Sequence, residues 1–129
     1  MVMDASAVVE LLLQTPEAAS LAEELLLSSS DLHAPHLVDA EVAQVLRRLC
    51  RNKEMVEGRA LEALQDLRDL PIVRHSHELL LDRAWEIRDN LTIYDGVYVA
   101  LAELLDLPLL TRDQRIAAAP GHGAVVRVF

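Results

Sequence analysis

The chain alternates short, β-like apolar runs with longer amphipathic stretches. Runs at residues 1–3, 32–34, 72–74, 109–111 and 125–128 are too short for helices and predict strands. Between them, residues 7–13, 16–27, 37–51, 55–70, 77–89 and 94–105 carry apolar positions at helical spacing. Pro16 follows Thr15 as proline does at a first helical position, and Pro35, Pro71 and Pro108 fall at segment boundaries. Strand–helix alternation of this kind predicts an α/β fold with a central, mainly parallel sheet and helical crossovers. No repeat, low-complexity tract or linker interrupts the pattern. One domain over residues 1–129 is therefore expected, long enough to bury a core.

Four acids break the apolar pattern at segment ends. Asp4 follows the first strand, Glu41 lies inside the helix at 37–51, Asp95 opens the run at 94–105, and Asp113 follows Leu109-Leu110-Thr111. In an open parallel sheet, the carboxyl ends of the strands face one crevice. Carboxylates gathered there repel one another unless a cation sits among them, so the pattern reads as a hard-metal site.

Each acid also has an ordinary structural reading. On a helical wheel Glu41 falls in the same half as Leu37, Val38, Val42, Val45, Leu46 and Leu49, where an acid is costly unless paired. The plain alternative is an acid that snorkels out or pairs with Arg48. Asp39 lies at the edge of that stripe and is the weaker candidate. Thr92-Ile93-Tyr94-Asp95 matches a helix capping box. Asp4 and Asp113 suit N-terminal caps, and Ser6 can either cap the first helix or hold a water beside Asp4. Taken singly, each cap reading suffices; the joint placement of four acids from four segments is what favours a shared site.

Composition narrows the partners. A net charge of −9 argues against loose nucleic-acid binding over the whole surface, although Arg47, Arg48, Arg51 and Lys53 cluster and Arg112 and Arg115 flank Asp113. With 3% aromatic residues there is no platform for stacking bases, so any grip on nucleic acid must use phosphate and metal. Acids interrupt every long apolar stretch, so no membrane span is expected. The start lacks a basic n-region, so no signal peptide is expected. Cys50 is the only cysteine, which fits a reducing, cytoplasmic setting. His75-Ser76-His77 lacks further ligands at zinc spacing, Gly121-His122-Gly123 reads as a turn, and Ser28-Ser29-Ser30 reads as a loop without a nucleophile's surroundings.

Four segments together resemble the PIN-domain family, in its VapC toxin branch: Val2-Met3-Asp4-Ala5-Ser6-Ala7, Asp39-Ala40-Glu41-Val42, the run from Thr92-Ile93-Tyr94-Asp95-Gly96-Val97-Tyr98 to Ala102, and Leu109-Leu110-Thr111-Arg112-Asp113. Their order and spacing match over essentially the whole chain. Gly96 departs from the family's usual alanine and should loosen the helix start. The resemblance implies a three-layer α/β/α sandwich and a Mg²⁺- or Mn²⁺-dependent endoribonuclease. Its metal-holding and catalytic acids would be Asp4, Glu41, Asp95 and Asp113, with Ser6 and Thr111 as supporting polar groups. It further implies a VapB-type antitoxin partner, an RNA substrate and a homodimer. A rival reading is a PIN-like module that binds RNA or a partner without cutting. A phosphoacceptor receiver domain would need a lysine past a late strand, whereas Lys53 is the only lysine. A haloacid-dehalogenase-type phosphatase would need Asp where Ser6 stands.

Overall fold

The computed structural model describes residues 1–16, 18–28 and 31–129. Five strands form one parallel sheet: β1 (Val2–Met3), β2 (Leu32–Pro35), β3 (Ile72–His75), β4 (Leu109–Thr111) and β5 (Val126–Val128), in the order β3-β2-β1-β4-β5. Among the described residues the helices are α1 (Ala5–Leu13), α2 (Ala18–Ser28), α3 (Leu37–Arg51), α4 (Glu57–Asp69), α5 (Leu81–Glu86), α6 (Ile93–Leu105) and α7 (Gln114–Ala118). The parallel sheet expected from the alternation is present, and with it the three-layer α/β/α arrangement that the resemblance implies. The helices α1, α3 and α4 pack on one another, α5 packs on α6, and α6 lies against β1, β2 and β4. Strand order reverses direction between β1 and β4, where Val2 pairs with Leu109 and Met3 with Leu110. That switch point is where a doubly wound sheet opens a crevice at its carboxyl edge.

The core follows the pattern of the sequence. Val2, Met3, Leu109 and Leu110 are wholly buried in the two central strands, and α6 buries every residue from Gly96 to Ala102. A helix apolar on nearly all sides belongs in the interior, and α6 is that helix. On α3 the buried positions are Val38, Val42 and Leu46, with Arg47, Arg48 and Arg51 exposed on the opposite side.

Several boundaries differ from the sequence reading. The first helix starts at Ala5 rather than residue 7, because Asp4 caps it by accepting from the Ala7 N–H at 3.0 Å. The expected helix at 77–89 contracts to α5. His77–Leu80 forms a turn in which the Leu80 N–H donates to the His77 carbonyl at 2.8 Å, and Leu79 is left 78% exposed. Gly96 also stands where α5 comes close to α6. A Cβ there would sit 3.2 Å from the Ala84 Cβ and 3.3 Å from its Cα, so the missing side chain lets α5 approach α6 closely. The helix expected from Pro16 is seen from Ala18, and the Ser29-Ser30 part of the expected loop lies outside the described residues.

Candidate active site

At the carboxyl edge of the sheet, Asp4, Ser6, Glu41, Asp95, Tyr98, Arg112, Asp113 and Arg115 line one open cavity of about 390 Å³. All four acids singled out in the sequence reach it. Asp4 and Asp113 leave the adjacent strands β1 and β4 on either side of the switch point. Glu41 projects from the second turn of α3, and Asp95 from the first turn of α6.

Asp4 is the most fixed of the set, with 9% of its surface exposed. One oxygen accepts from the Ser6 hydroxyl at 2.6 Å and from the Ala7 N–H. The other accepts from the Thr111 hydroxyl of the neighbouring strand at 2.5 Å. Thr111 in turn accepts from the Asp113 N–H at 2.9 Å, and Ser6 accepts from the Arg112 N–H at 3.0 Å. The two expected supporting groups therefore tie β1 to the turn after β4. Ser6 does not cap α1; Asp4 does. Burial raises the Asp4 pKa above the ordinary carboxyl value, against these hydrogen bonds.

Glu41 is half-buried, and its partner is Tyr98 rather than Arg48. The Tyr98 hydroxyl donates to Oε1 at 2.7 Å. Burial raises the Glu41 pKa, the Tyr98 bond opposes that rise, and the charges of Asp4 and Asp95 add to it. Tyr98 itself, 2% exposed, has its pKa pushed far up by burial and then by Glu41, so it stays a donor. The Asp95 pKa is raised by burial and by Asp113, with Thr92 and Arg115 opposing. Thr92 caps α6 by accepting from the Asp95 N–H at 3.1 Å, so the cap and the cavity use the same turn. Asp113 differs in sign. The Arg115 guanidinium bonds both of its oxygens, at 2.9 and 2.5 Å, and lowers its pKa.

The donor set fits a hard cation. Among the described residues the cavity presents carboxylates and hydroxyls but no histidine or cysteine. The mutual charge effects on Glu41 and Asp95 are those a divalent ion would relieve. Among the described residues no group of three His, Cys, Asp or Glu side chains stands ready to hold a metal ion directly. Arg115 on Asp113 is one cause visible in the geometry, and an ion that keeps several of its own waters needs fewer direct ligands.

Other candidates have structural partners elsewhere. Asp39 is held by Arg74, whose Nε and Nη2 reach its carboxylate at 2.8 and 2.9 Å. The His75 Nε2 lies 3.0 Å from the His33 Nδ1 of the neighbouring strand, while the His77 Nε2 accepts from the Leu37 N–H at 2.9 Å. Gly121 adopts φ of 90° in the turn expected there. Arg47, Arg48, Arg51 and Lys53 are exposed and do not line the cavity. In the sequence Tyr98 stands only as one member of the apolar run at 94–105, and Glu10 only as an acid that interrupts the run at 7–13. Its isolation among Val8, Val9, Leu11 and Leu12 was the signal.

Residues 1–121 match the family described as PIN domain. Ribonuclease VapC1 of Mycobacterium tuberculosis (strain CDC 1551 / Oshkosh) is 46% identical over 121 residues, covering 93% of this chain and 90% of that protein. The crystal structure of PAE2754 from Pyrobaculum aerophilum gives a TM-score of 0.72 at 23% identity, covering 97% of this chain and 87% of that one. VapBC2 from Rickettsia felis, solved with a DNA fragment from its promoter, gives 0.70 at 12% identity, covering 99% and 97%. At such identities the two structures bear on the fold alone, and no described helix is long and apolar enough to cross a membrane. With the family matched over most of its length and a close relative at this identity, the chain belongs to the PIN-domain family, alongside the VapC ribonucleases.

Proposed function

We propose that this chain is a Mg²⁺- or Mn²⁺-dependent endoribonuclease, the toxin of a type II toxin–antitoxin pair, in which Asp4, Glu41, Asp95 and Asp113 are the metal-holding and catalytic acids. The observation that carries the reading is the cavity itself, which all four acids line from four separate segments. A relative named a ribonuclease supports RNA as the substrate class. The VapC name of that relative, 46% identical, supports a VapB-type antitoxin as partner. On this reading residues 1–129 form one nuclease domain that acts in the cytoplasm as a homodimer.

A bound divalent cation would supply an activated water and neutralise charge developing on the phosphoryl group. The protein's own residues supply position and proton balance. Ser6, Thr111 and the Ala7 N–H fix both oxygens of Asp4, and Tyr98 fixes one oxygen of Glu41. Burial raises the pKa of Asp4, Glu41 and Asp95, which makes these acids better proton acceptors than a solvated carboxylate, whereas Arg115 makes Asp113 a poorer one. Asp113 is held by Arg115, which lowers its pKa and keeps it charged.

That Arg115–Asp113 pair favours a second reading, a PIN-like module that binds RNA or a partner without cutting. One experiment separates the two. Purified protein is incubated with RNA in Mg²⁺, in Mn²⁺ and in EDTA. The nuclease reading expects cleavage with either cation and none in EDTA. RNA binding without cleavage under all three conditions supports the second reading, and cleavage that persists in EDTA refutes metal dependence.

A further inference from the structure

Glu10 is a buried acid that the site described above does not use. It lies on α1 with 5% of its surface exposed, among Val8, Val9 and Leu12. A lone carboxylate there would be strongly disfavoured, and removing its partner would leave a buried charge uncompensated. Its partners are the Thr15 hydroxyl and, from across the fold, the guanidinium of Arg112.

Arg112 spans two environments. Its backbone N–H donates to Ser6, which itself donates to Asp4, so its Cα is tied to the acid cluster. Its side chain is 46% exposed and lines the cavity, while Nη1 is anchored on Glu10. The guanidinium also lies over the Phe129 ring, 5.9 Å from the centroid. The other arginine at the cavity, Arg115, is 87% exposed and engaged with Asp113. One of the two cations at the mouth is thus held by the interior of the protein, and the other by a site acid.

We propose that Arg112 binds a phosphate of the RNA strand adjacent to the bond that is cut, and that Glu10 is the positioning residue that keeps its guanidinium at the rim. The inference rests on reading the cavity as an RNA site. A strand carrying one negative charge per nucleotide must approach four carboxylates on a protein of net charge −9. A cation among the acids serves the reacting phosphate only, and the neighbouring phosphate needs a cation of its own. A guanidinium fork can serve a carboxylate and a phosphate oxygen together, which a lysine's point charge does poorly. Anchoring on a buried acid fixes where the fork stands before RNA arrives, so less conformational freedom is lost on binding.

Electrostatics alone predicts the opposite sign for one variant, which makes the proposal testable. Glu10→Gln removes a negative charge near the RNA path, so a pure field effect would tighten binding. If Glu10 positions Arg112, binding weakens instead. The assay uses the full chain carrying Asp95→Asn, a fluorescein-labelled single-stranded RNA of mixed sequence, and a salt series read by anisotropy. Arg112→Gln should weaken binding about tenfold and reduce the slope of log affinity on log salt by about 0.7, one phosphate contact to a single strand. Glu10→Gln should weaken it severalfold. In the parent chain the same substitutions should raise KM more than they lower kcat.

Because Arg112→Gln leaves Glu10 buried without its cation, the double variant Glu10→Gln/Arg112→Gln serves as the folding control. It should melt higher than Arg112→Gln yet bind RNA no better. Tighter binding by Glu10→Gln, or an unchanged salt slope in a folded Arg112→Gln or double variant, overturns the proposal. The two readings fail separately. Metal-independent or absent cleavage by the parent sinks the nuclease reading while the salt slope can still assign Arg112 its phosphate. RNA binding absent from the Asp95→Asn chain sinks the Arg112 proposal.

Discussion

Tyr98→Phe is the most informative single change at this site, because it removes one oxygen and leaves the packing of α6 intact. The hydroxyl donates to Glu41 Oε1 at 2.7 Å from a ring that is 2% exposed. A hydrogen bond to a charged group contributes roughly 1.5–3 kcal/mol when the charge is fully buried. Glu41 is only half-buried, so water can replace part of the bond, and a loss of about 1 kcal/mol is expected. For a domain of this size that lowers the melting temperature by about 4 °C.

The loss should depend on pH. Glu41 has a raised pKa in the fold, so the metal-free protein loses stability as pH climbs from the ordinary carboxyl value through the raised one. The Tyr98 bond opposes that rise, and its removal pushes the Glu41 pKa further up. The variant should therefore fall further behind the parent at about pH 8 than at about pH 5. Thermal melts in EDTA at both values measure this, with the same pair repeated in a Glu41→Gln background. There the penalty for losing the hydroxyl should shrink, since a neutral amide makes the weaker bond. Cleavage by Tyr98→Phe should drop about tenfold, as expected when a ligand loses its orientation rather than its charge. An equal penalty at both pH values and in both backgrounds would show that Tyr98 is ordinary core and does not hold Glu41.

Asp95→Asn should abolish cleavage and leave a folded protein, because the α6 cap is made by the Thr92 hydroxyl to the residue 95 N–H, which survives the change; a circular dichroism melt and an RNA assay report the two halves. Asp39→Asn should do the reverse. It breaks the two-pronged contact with Arg74 at a partly exposed position, costing about 0.5–1 kcal/mol by chemical denaturation, with activity largely retained. Gly96→Ala should destabilise by about 1–3 kcal/mol despite alanine's better helix propensity, since the new methyl meets Ala84 backbone at 3.3 Å, and pairing it with Ala84→Gly should recover part of the loss. Mn²⁺ at ten times its Kd should raise the melting temperature by a few degrees, from about 1.4 kcal/mol of binding energy. That gain should fade as pH drops, because protons on Asp4, Glu41 and Asp95 compete with the cation.

Legibility of this fold tracked how local each signal is. The strands and α6 could be read because apolar runs and prolines report on their own neighbourhood, and the sheet then follows from alternation. The 77–89 segment was misjudged at its ends. Its residues alternate apolar and polar well enough for a helix, but His77 is recruited to the start of α3, some 40 residues away in sequence. Gly96 looked like a loosened helix start, and only the approach of α5 reveals its use. Glu41 was correctly placed near the buried stripe by periodicity, whereas its partner could not be. Tyr98 lies 57 residues further on and shares no periodicity with it. Glu10 and Arg112, 102 residues apart, pose the same problem. An acid within an apolar run implies a partner, but its identity is a tertiary fact.

Two of the four cavity acids are also helix caps and a third lies in a first turn, and that bears on how the protein tolerates the cluster without a cation. Asp4 caps α1, Asp113 caps α7, and Asp95 sits in the first turn of α6. Asp4 and Asp113 each accept a helix N–H, and Asp95 lies at the positive end of α6, which offsets part of their charge. Glu41 has no such position. It lies a full turn into α3, and both Asp4 and Asp95 raise its pKa. Tyr98 supplies one hydrogen bond against that repulsion, and the remainder is what a divalent ion would relieve. The fold thus gives Asp4 and Asp113 a second role as helix caps, whereas Glu41 has Tyr98 as its hydrogen-bond donor and no cap to make. By that logic Glu41→Gln should stabilise the metal-free protein, while the neutral replacement of Asp113, whose pKa the fold lowers, should not.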